Sequence, residues 1–269
     1  MARIPALWGV LNVTPDSFSD GGDFIDPKHA IKRAQRMAAD GASVIDVGAE
    51  STRPGAARVS AEDEIARLTP VVSALVAEGI TVSVDTMRAE TASAMLALGV
   101  PIINDVSGGL ADERMFEVIA GSDCLYVLMH WRGHSDQMDS LATYDDVVTD
   151  VVGEIRARLH AAEVAGIDPE RIMIDPGLGF AKDIDHNWEL VRRIDEFHQL
   201  DRPLLVGASR KRFLGALLPD GHSPKDRDGV SAALGVVLAG CGIDVLRVHE
   251  PLIHQQALAV WAKSQNAEE

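Results

Sequence analysis

A chain of 269 residues, 46% hydrophobic but only 4% aromatic, suits one domain with a large aliphatic core better than two ordinary domains. Its 41 acidic against 25 basic residues leave a net charge of −16, which argues against nucleic acid or an anionic membrane surface as partner, since both need Lys and Arg. No apolar run approaches the roughly 18 residues of a membrane span, and the opening MARIPALWGVLNV carries no basic or long apolar leader, so a cytoplasmic protein is expected.

Strand and helix signals alternate along the chain without a Pro/Ser-rich linker. The first strand is predicted at 7–12 and is followed by the loop TPDSFSDGGDF. A helix then runs from Pro27 to Asp40 and stops at Gly41. Strand two is expected at 43–47. After the loop GAESTRPGAARV, Ser60 reads as an N-cap with Asp63 at the box position, opening a helix over 61–77. Strand three (80–84) and a helix (88–98) lead to a short strand four (101–103) and a helix at 112–120. Strand five is expected at 124–129, one long helix at 143–165, and strand six at 171–174 after the turn at Asp168–Pro169. The loop DPGLGFAKD precedes a helix near 186–196. Strand seven (203–206) runs into a helix at 210–218, then come a helix at 228–241, strand eight at 243–248 and a last helix at 251–263, with 263–269 as a frayed tail. Cys124 and Cys241 sit in apolar surroundings without a CxxC or His partner at zinc spacing, and are expected to be structural thiols.

Each of the eight apolar runs stops at, or just before, a polar residue that a buried strand would not choose: Asn12, Asp46, Asp85, Asn104, His130, Asp175, the Arg210–Lys211 pair, and Arg247 with His249. That pattern predicts a single-domain α/β protein, a (β/α)8 TIM barrel, with its chemistry at the C-terminal ends of the strands. A doubly wound open sheet would use fewer strands.

Three of those loops bring cations into an acidic chain: Arg53 in STRPG, Arg210, Lys211 and Arg212 in GASRKRFLG, and Arg247 with His249 in RVH. A helix opening at Gly207–Ala208–Ser209 would leave free amides for an anion, and the loops after strands seven and eight are where barrels often hold phosphate. One such arginine alone reads as a solvated surface charge; three loops together read as an anion site. Asp85 and Asp175, with Asn104 between them around the ring, suit a planar heterocycle with amino and lactam edges, because a carboxylate accepts two hydrogen bonds from an N–C–N edge. For Asp46 a structural role and a substrate contact both stay open. Asn12 and the TPDSFSD loop offer oxygen ligands for Mg2+, which keeps several waters and bridges to substrate phosphates, although an Asp-rich turn would look the same. His130 is expected to line the mouth. HEPLIH has zinc-protease spacing off by one residue and is interrupted by Pro251, and no dinucleotide, P-loop or nucleophile-elbow motif occurs.

Taken in order on one barrel, NVTPDSFSDGG, DVGAESTRPGA, SVDT, INDVSGG, DPGLGF, GASRKRFLG and RVH resemble the dihydropteroate synthase family, from about Val10 to His249. The resemblance implies an enzyme of folate synthesis that joins 6-hydroxymethyl-7,8-dihydropterin pyrophosphate to p-aminobenzoate and releases pyrophosphate, with Mg2+ held at Asn12. It implies that Lys211, Asp85 and Asp175 are catalytic, and that Asp85, Asn104, Asp175 and Lys211 form the pterin pocket. Asn12, Arg53, Arg247 and His249 would meet the pyrophosphate, and Phe18, Thr52, Pro54, Phe180 and Arg212 the p-aminobenzoate. It further implies a sulfonamide target and a homodimer through the last helices, although Leu234, Val237 and Leu238 would serve equally as core. Ala49 stands where the family often has a second Gly, Arg212 where it often has Ser, and Glu250 where Asp is usual; none of these removes a proposed contact. Two other readings compete. A methyltetrahydrofolate methyltransferase-like enzyme handles no pyrophosphate, and a pterin-binding paralogue without synthase activity should have lost STRPG or SRK, yet both motifs are intact.

Overall fold

A computed structural model describes residues 3–14, 27–50, 59–134 and 137–265. The strands are β1 (Ala6–Asn12), β2 (Val44–Gly48), β3 (Val82–Asp85), β4 (Ile102–Asp105), β5 (Leu125–Met129), β6 (Ile172–Asp175), β7 (Leu205–Val206) and β8 (Val245–Val248). The helices are α1 (Pro27–Ala39), α2 (Ala61–Ala77), α3 (Ala89–Ala97), α4 (Met115–Ala120), α5 (Val147–Val164), α6 (Ile184–Arg192), α7 (Arg212–Gly215), α8 (Asp228–Gly240) and α9 (Pro251–Ser264). All strand pairs are parallel, in the order β6-β5-β4-β3-β2-β1-β8-β7. A single parallel bridge from Ile174 of β6 to Leu204, next to β7, completes the ring. This is the expected (β/α)8 barrel.

Side-chain alternation gives the barrel two cores. Outward-facing Leu7, Leu11, Ile45, Val47, Val84, Ile103 and Leu128 pack with helix residues such as Leu68, Leu75, Met95 and Ile155. A separate cluster of Trp8, Val44, Ile102, Val127, Met173, Leu205 and Val245 fills the barrel interior as an apolar floor. Because parallel strands are buried on both faces, they read in sequence as continuous apolar runs. No helix among the described residues is long and apolar enough to cross a membrane.

Local chemistry moves several boundaries. Ser60 caps α2 by accepting from the Asp63 amide, as the spacing predicts. The long helix opens at Val147 rather than 143, because Asp146 caps it through the Thr149 amide and the Tyr144 hydroxyl turns away to the Ala181 carbonyl. The helix expected to 196 ends as α6 at Arg192 and gives way to tight 3-10 turns over Ile194–Leu200. The chain reaches Ser264 in α9, so Lys263 and Ser264 belong to a helix rather than to a frayed tail. The largest change follows β7. Arg210 adopts a left-handed conformation (φ 61°), so the helix starts only at Arg212 and lasts four residues. Gly207–Ala208–Ser209 therefore open no helix and form no helix N-terminal anion site.

Candidate active site

Two residues beyond the apolar floor, the inward face turns polar. Val44 is followed by Asp46, Ile102 by Asn104, Met173 by Asp175 and Val245 by Arg247, while Asp85 ends β3. Register aligns these groups around the ring: Asp46 pairs with Val10 and Ser83, Asp85 with Gly48 and Asn104, and Asp175 with Met129. Above them opens a cavity of about 1370 Å3, whose walls include Asn12, Asp85, Phe180, Lys211, Arg212, Arg247 and His249.

Arg247 joins two carboxylates. Its Nη2 donates to Asp85 Oδ2 at 2.6 Å and its Nε donates to Asp46 Oδ2, which also accepts from Asn104 Nδ2 at 3.0 Å. The fully buried Asp46 thus ties Asn104 to Arg247, while its Oδ1 has no hydrogen-bond partner among the described residues. Burial pushes the Asp85 carboxyl up to about 7; Arg247 opposes this, and the Asp46, Glu64 and Asp105 charges add to it. Burial also raises Asp175 against the pull of Lys211 and of a 2.7 Å hydrogen bond from the Gly177 amide. Lys211 lies just before α7; burial lowers it to about 8, with Asp175 opposing that fall. Its Nζ donates to the Leu178 carbonyl and stands 4.7 Å from the centre of the Phe180 ring.

Asn12, Asp85, Phe180, Lys211, Arg212, Arg247 and His249 therefore share one cavity, with Asn104 and Asp175 buried in the polar layer at its base. Arg247, expected with the pyrophosphate set, lies against Asp46 and Asp85. His249 reaches the Ser209 hydroxyl through both its amide (3.2 Å) and Nδ1 (3.1 Å). Arg212 is exposed at the rim. Phe18, Thr52, Arg53 and Pro54 lie outside the described residues. Arg210 does not join the anion cluster: its guanidinium is held by Asp228 at 2.7 Å and Glu250 at 3.2 Å. His130 is not a mouth-lining group either. It is buried, and bonds Glu154 through Nε2 (2.9 Å) and Lys182 through Nδ1 (2.9 Å). Lys182 and Asn187 escaped the sequence reading. Asn187 Oδ1 accepts from the Gly179 amide at 2.6 Å, at the third position after a capped helix start.

The family model described as "Pterin binding enzyme" matches residues 8–249. The chain belongs to this family of pterin-binding enzymes. Dihydropteroate synthase of Mycobacterium leprae is 47% identical over 257 residues, covering 94% of this chain and 90% of the relative. Among solved pterin-binding enzymes, Xanthomonas albilineans dihydropteroate synthase with 4-aminobenzoic acid superposes with a TM-score of 0.90 at 40% identity, covering 97% of this chain and 93% of that one. The same enzyme in complex with 7,8-dihydropteroate gives 0.88 at 36%, covering 98% and 95%.

Proposed function

We infer that this chain is a dihydropteroate synthase: it condenses 6-hydroxymethyl-7,8-dihydropterin pyrophosphate with p-aminobenzoate, giving 7,8-dihydropteroate and pyrophosphate. The observation that carries this reading is Asp85 on the wall of the cavity that also holds Lys211, Arg247 and His249, with Asn104 and Asp175 buried in the same polar layer of the strands. A flat pterin needs the carboxylates and the amide, and a leaving pyrophosphate needs the basic groups. The Asp175 carboxylate takes the aminopyrimidine edge, Asp85 and Asn104 the remaining ring polar atoms, and Lys211 the carbonyl side. Arg247 and His249 receive the leaving anion together with Arg53.

Asn12 would hold Mg2+. The cavity wall that carries Arg247 and His249 also carries Asn12, whose hard amide oxygen suits an ion that keeps waters and phosphate oxygens as its other ligands. When bound, Mg2+ neutralises the pyrophosphate. The C–O bond to pyrophosphate breaks and positive charge develops on the pterin methylene, which Asp85 and Asp175 stabilise. The aniline nitrogen, neutral at pH 7, then forms the C–N bond and loses its proton without needing a strong base. Phe180 and Arg212 flank the p-aminobenzoate, with Phe18, Thr52 and Pro54 completing the slot. The exposed apolar residues of α8 and α9 support a homodimer.

Purified protein with Mg2+ is expected to release pyrophosphate only when both substrates are present; absence of dihydropteroate under those conditions would refute the reading. In the same assay, Arg247→Ala should weaken the pyrophosphate substrate far more than the free pterin alcohol, and equal losses would put the anion site elsewhere.

A further inference from the structure

The segment Gly177–Lys182 is held by its own carbonyl groups. Lys211 donates to the Leu178 carbonyl, the Tyr144 hydroxyl to that of Ala181 at 2.9 Å, and Asn187 Nδ2 to that of Lys182 at 3.3 Å. Lys182 Nζ takes two more, Gly177 at 3.1 Å and Phe180 at 3.0 Å. Its third contact is His130 Nδ1 at 2.9 Å. Nζ donates to each of these three acceptors when protonated, and burial holds the amine well below the usual lysine pKa. Lys182 is only 6% exposed, yet among the described residues no carboxylate is hydrogen-bonded to it. Asp175 and Glu154 supply the opposing charge, the latter through a relay: His130 Nε2 faces Glu154 Oε2 at 2.9 Å, and Glu154 is further gripped by Arg132 Nε at 3.1 and 3.2 Å.

This pattern fixes the imidazole tautomer. The ionised Glu154 carboxylate takes the Nε2–H, so in the neutral ring Nδ1 is the acceptor that faces the Lys182 amine. Burial and the neighbouring Lys182 depress His130 to about 4, which agrees with a neutral ring. The loop so fastened carries Phe180, whose ring lies beside Lys211 Nζ, and Gly179, where any Cβ would stand 2.8 Å from Lys211 Cδ. Lys182 thus acts on two cavity residues without needing to touch a substrate.

We propose that Lys182, backed by neutral His130 and Glu154, is a positioning residue for the second substrate: it sets the Phe180 carbonyl, and through it the ring that shapes the slot for an aromatic amine beside Lys211. This rests on reading the reaction as dihydropteroate synthesis. A structural lysine alone would affect both substrates alike or affect stability only. A positioning lysine should split them, because Lys182 holds the Phe180 carbonyl directly, whereas it reaches Asp175 only through Gly177, and Asp85 and Asn104 lie on other strands.

The test uses the full chain with Lys182→Met and Lys182→Arg, measuring KM for each substrate. Lys182→Met is expected to raise KM for p-aminobenzoate about tenfold or more and to leave KM for the pterin pyrophosphate within about twofold, with partial recovery in Lys182→Arg. Equal shifts in both constants, or no shift, overturn the proposal. A wild-type protein that makes no dihydropteroate sinks the functional reading instead. Should Lys182→Met not fold, 15N spectra of the wild-type imidazoles decide: His130 is expected to show a protonated Nε2 and an unprotonated Nδ1 at neutral pH, and a protonated Nδ1 removes the arrangement on which the proposal stands.

Discussion

At the scale of residues, two groups in the mouth titrate near neutrality in opposite senses. Asp85, raised to about 7 chiefly by burial, must lose its proton to accept hydrogen bonds from a pterin, so binding improves as pH rises through that value. Lys211, lowered to about 8 by burial, must keep its proton to donate, so binding fails as pH rises further. The expected kcat/KM for the pterin substrate is therefore a narrow bell, a property of the free enzyme. In Lys211→Arg the alkaline limb should move up or vanish, since guanidinium stays charged; an unmoved limb would assign it to another group. The sequence made Asp85, Asn104, Asp175 and Arg247 conspicuous because on a strand every second residue shares a face, and a polar residue among apolar ones stands out. Residue type alone could not sort Arg210, Lys211 and Arg212, three adjacent cations; the family resemblance chose Lys211 and Arg212, and the structure turns Arg210 to Asp228 and Glu250. Lys182, between Ala181 and Asp183, looks solvated on paper; its partner His130 is 52 positions away.

At the scale of elements, the loop after β6 is the most constrained part of the mouth. Gly177 has φ 68°, and a Cβ there would lie 2.4 Å from the His130 carbonyl oxygen, a backbone atom that cannot swing aside. Gly177→Ala should then cost about 2–4 kcal/mol, combining left-handed strain with that clash. Gly221 supplies the control: its φ is 86° but nothing lies within 4 Å, so Gly221→Ala should cost only about 1–2 kcal/mol. Denaturant midpoints of the two variants measure the difference; equal losses would mean that His130 gives way and the loop is not rigid. The start of α2 was legible because its cap is local: Ser60 and Asp63 stand three residues apart. The helix after β7 was not. GASRKRFLG has good helix formers, but the site turns its first half into an irregular crossing, and tertiary context overrides propensity.

At the scale of the molecule, α8 and α9 leave an apolar surface outside the barrel, with Val237 56% and Val260 73% exposed beside Ile253. Leu234 and Leu238, on the same helix α8 as Val237, are buried. Sedimentation is expected to find a dimer that Val260→Lys shifts toward monomer, since a charge cannot be buried unpaired across the two-fold contact; an unchanged dimer would place the contact on another face. The barrel itself was legible from the periodic return of apolar runs, whereas its closure was not, for it depends on one bridge between distant segments. That bridge has a mechanical consequence. Neighbouring strands elsewhere share up to five paired positions, but the seam between Ile174 and Leu204 has one, and the loops bearing Phe180 and Lys211 spring from its two sides. The Lys211 hydrogen bond to the Leu178 carbonyl therefore acts as a clasp across the joint of the hoop where the backbone pairs least, tying the two loops by a side chain.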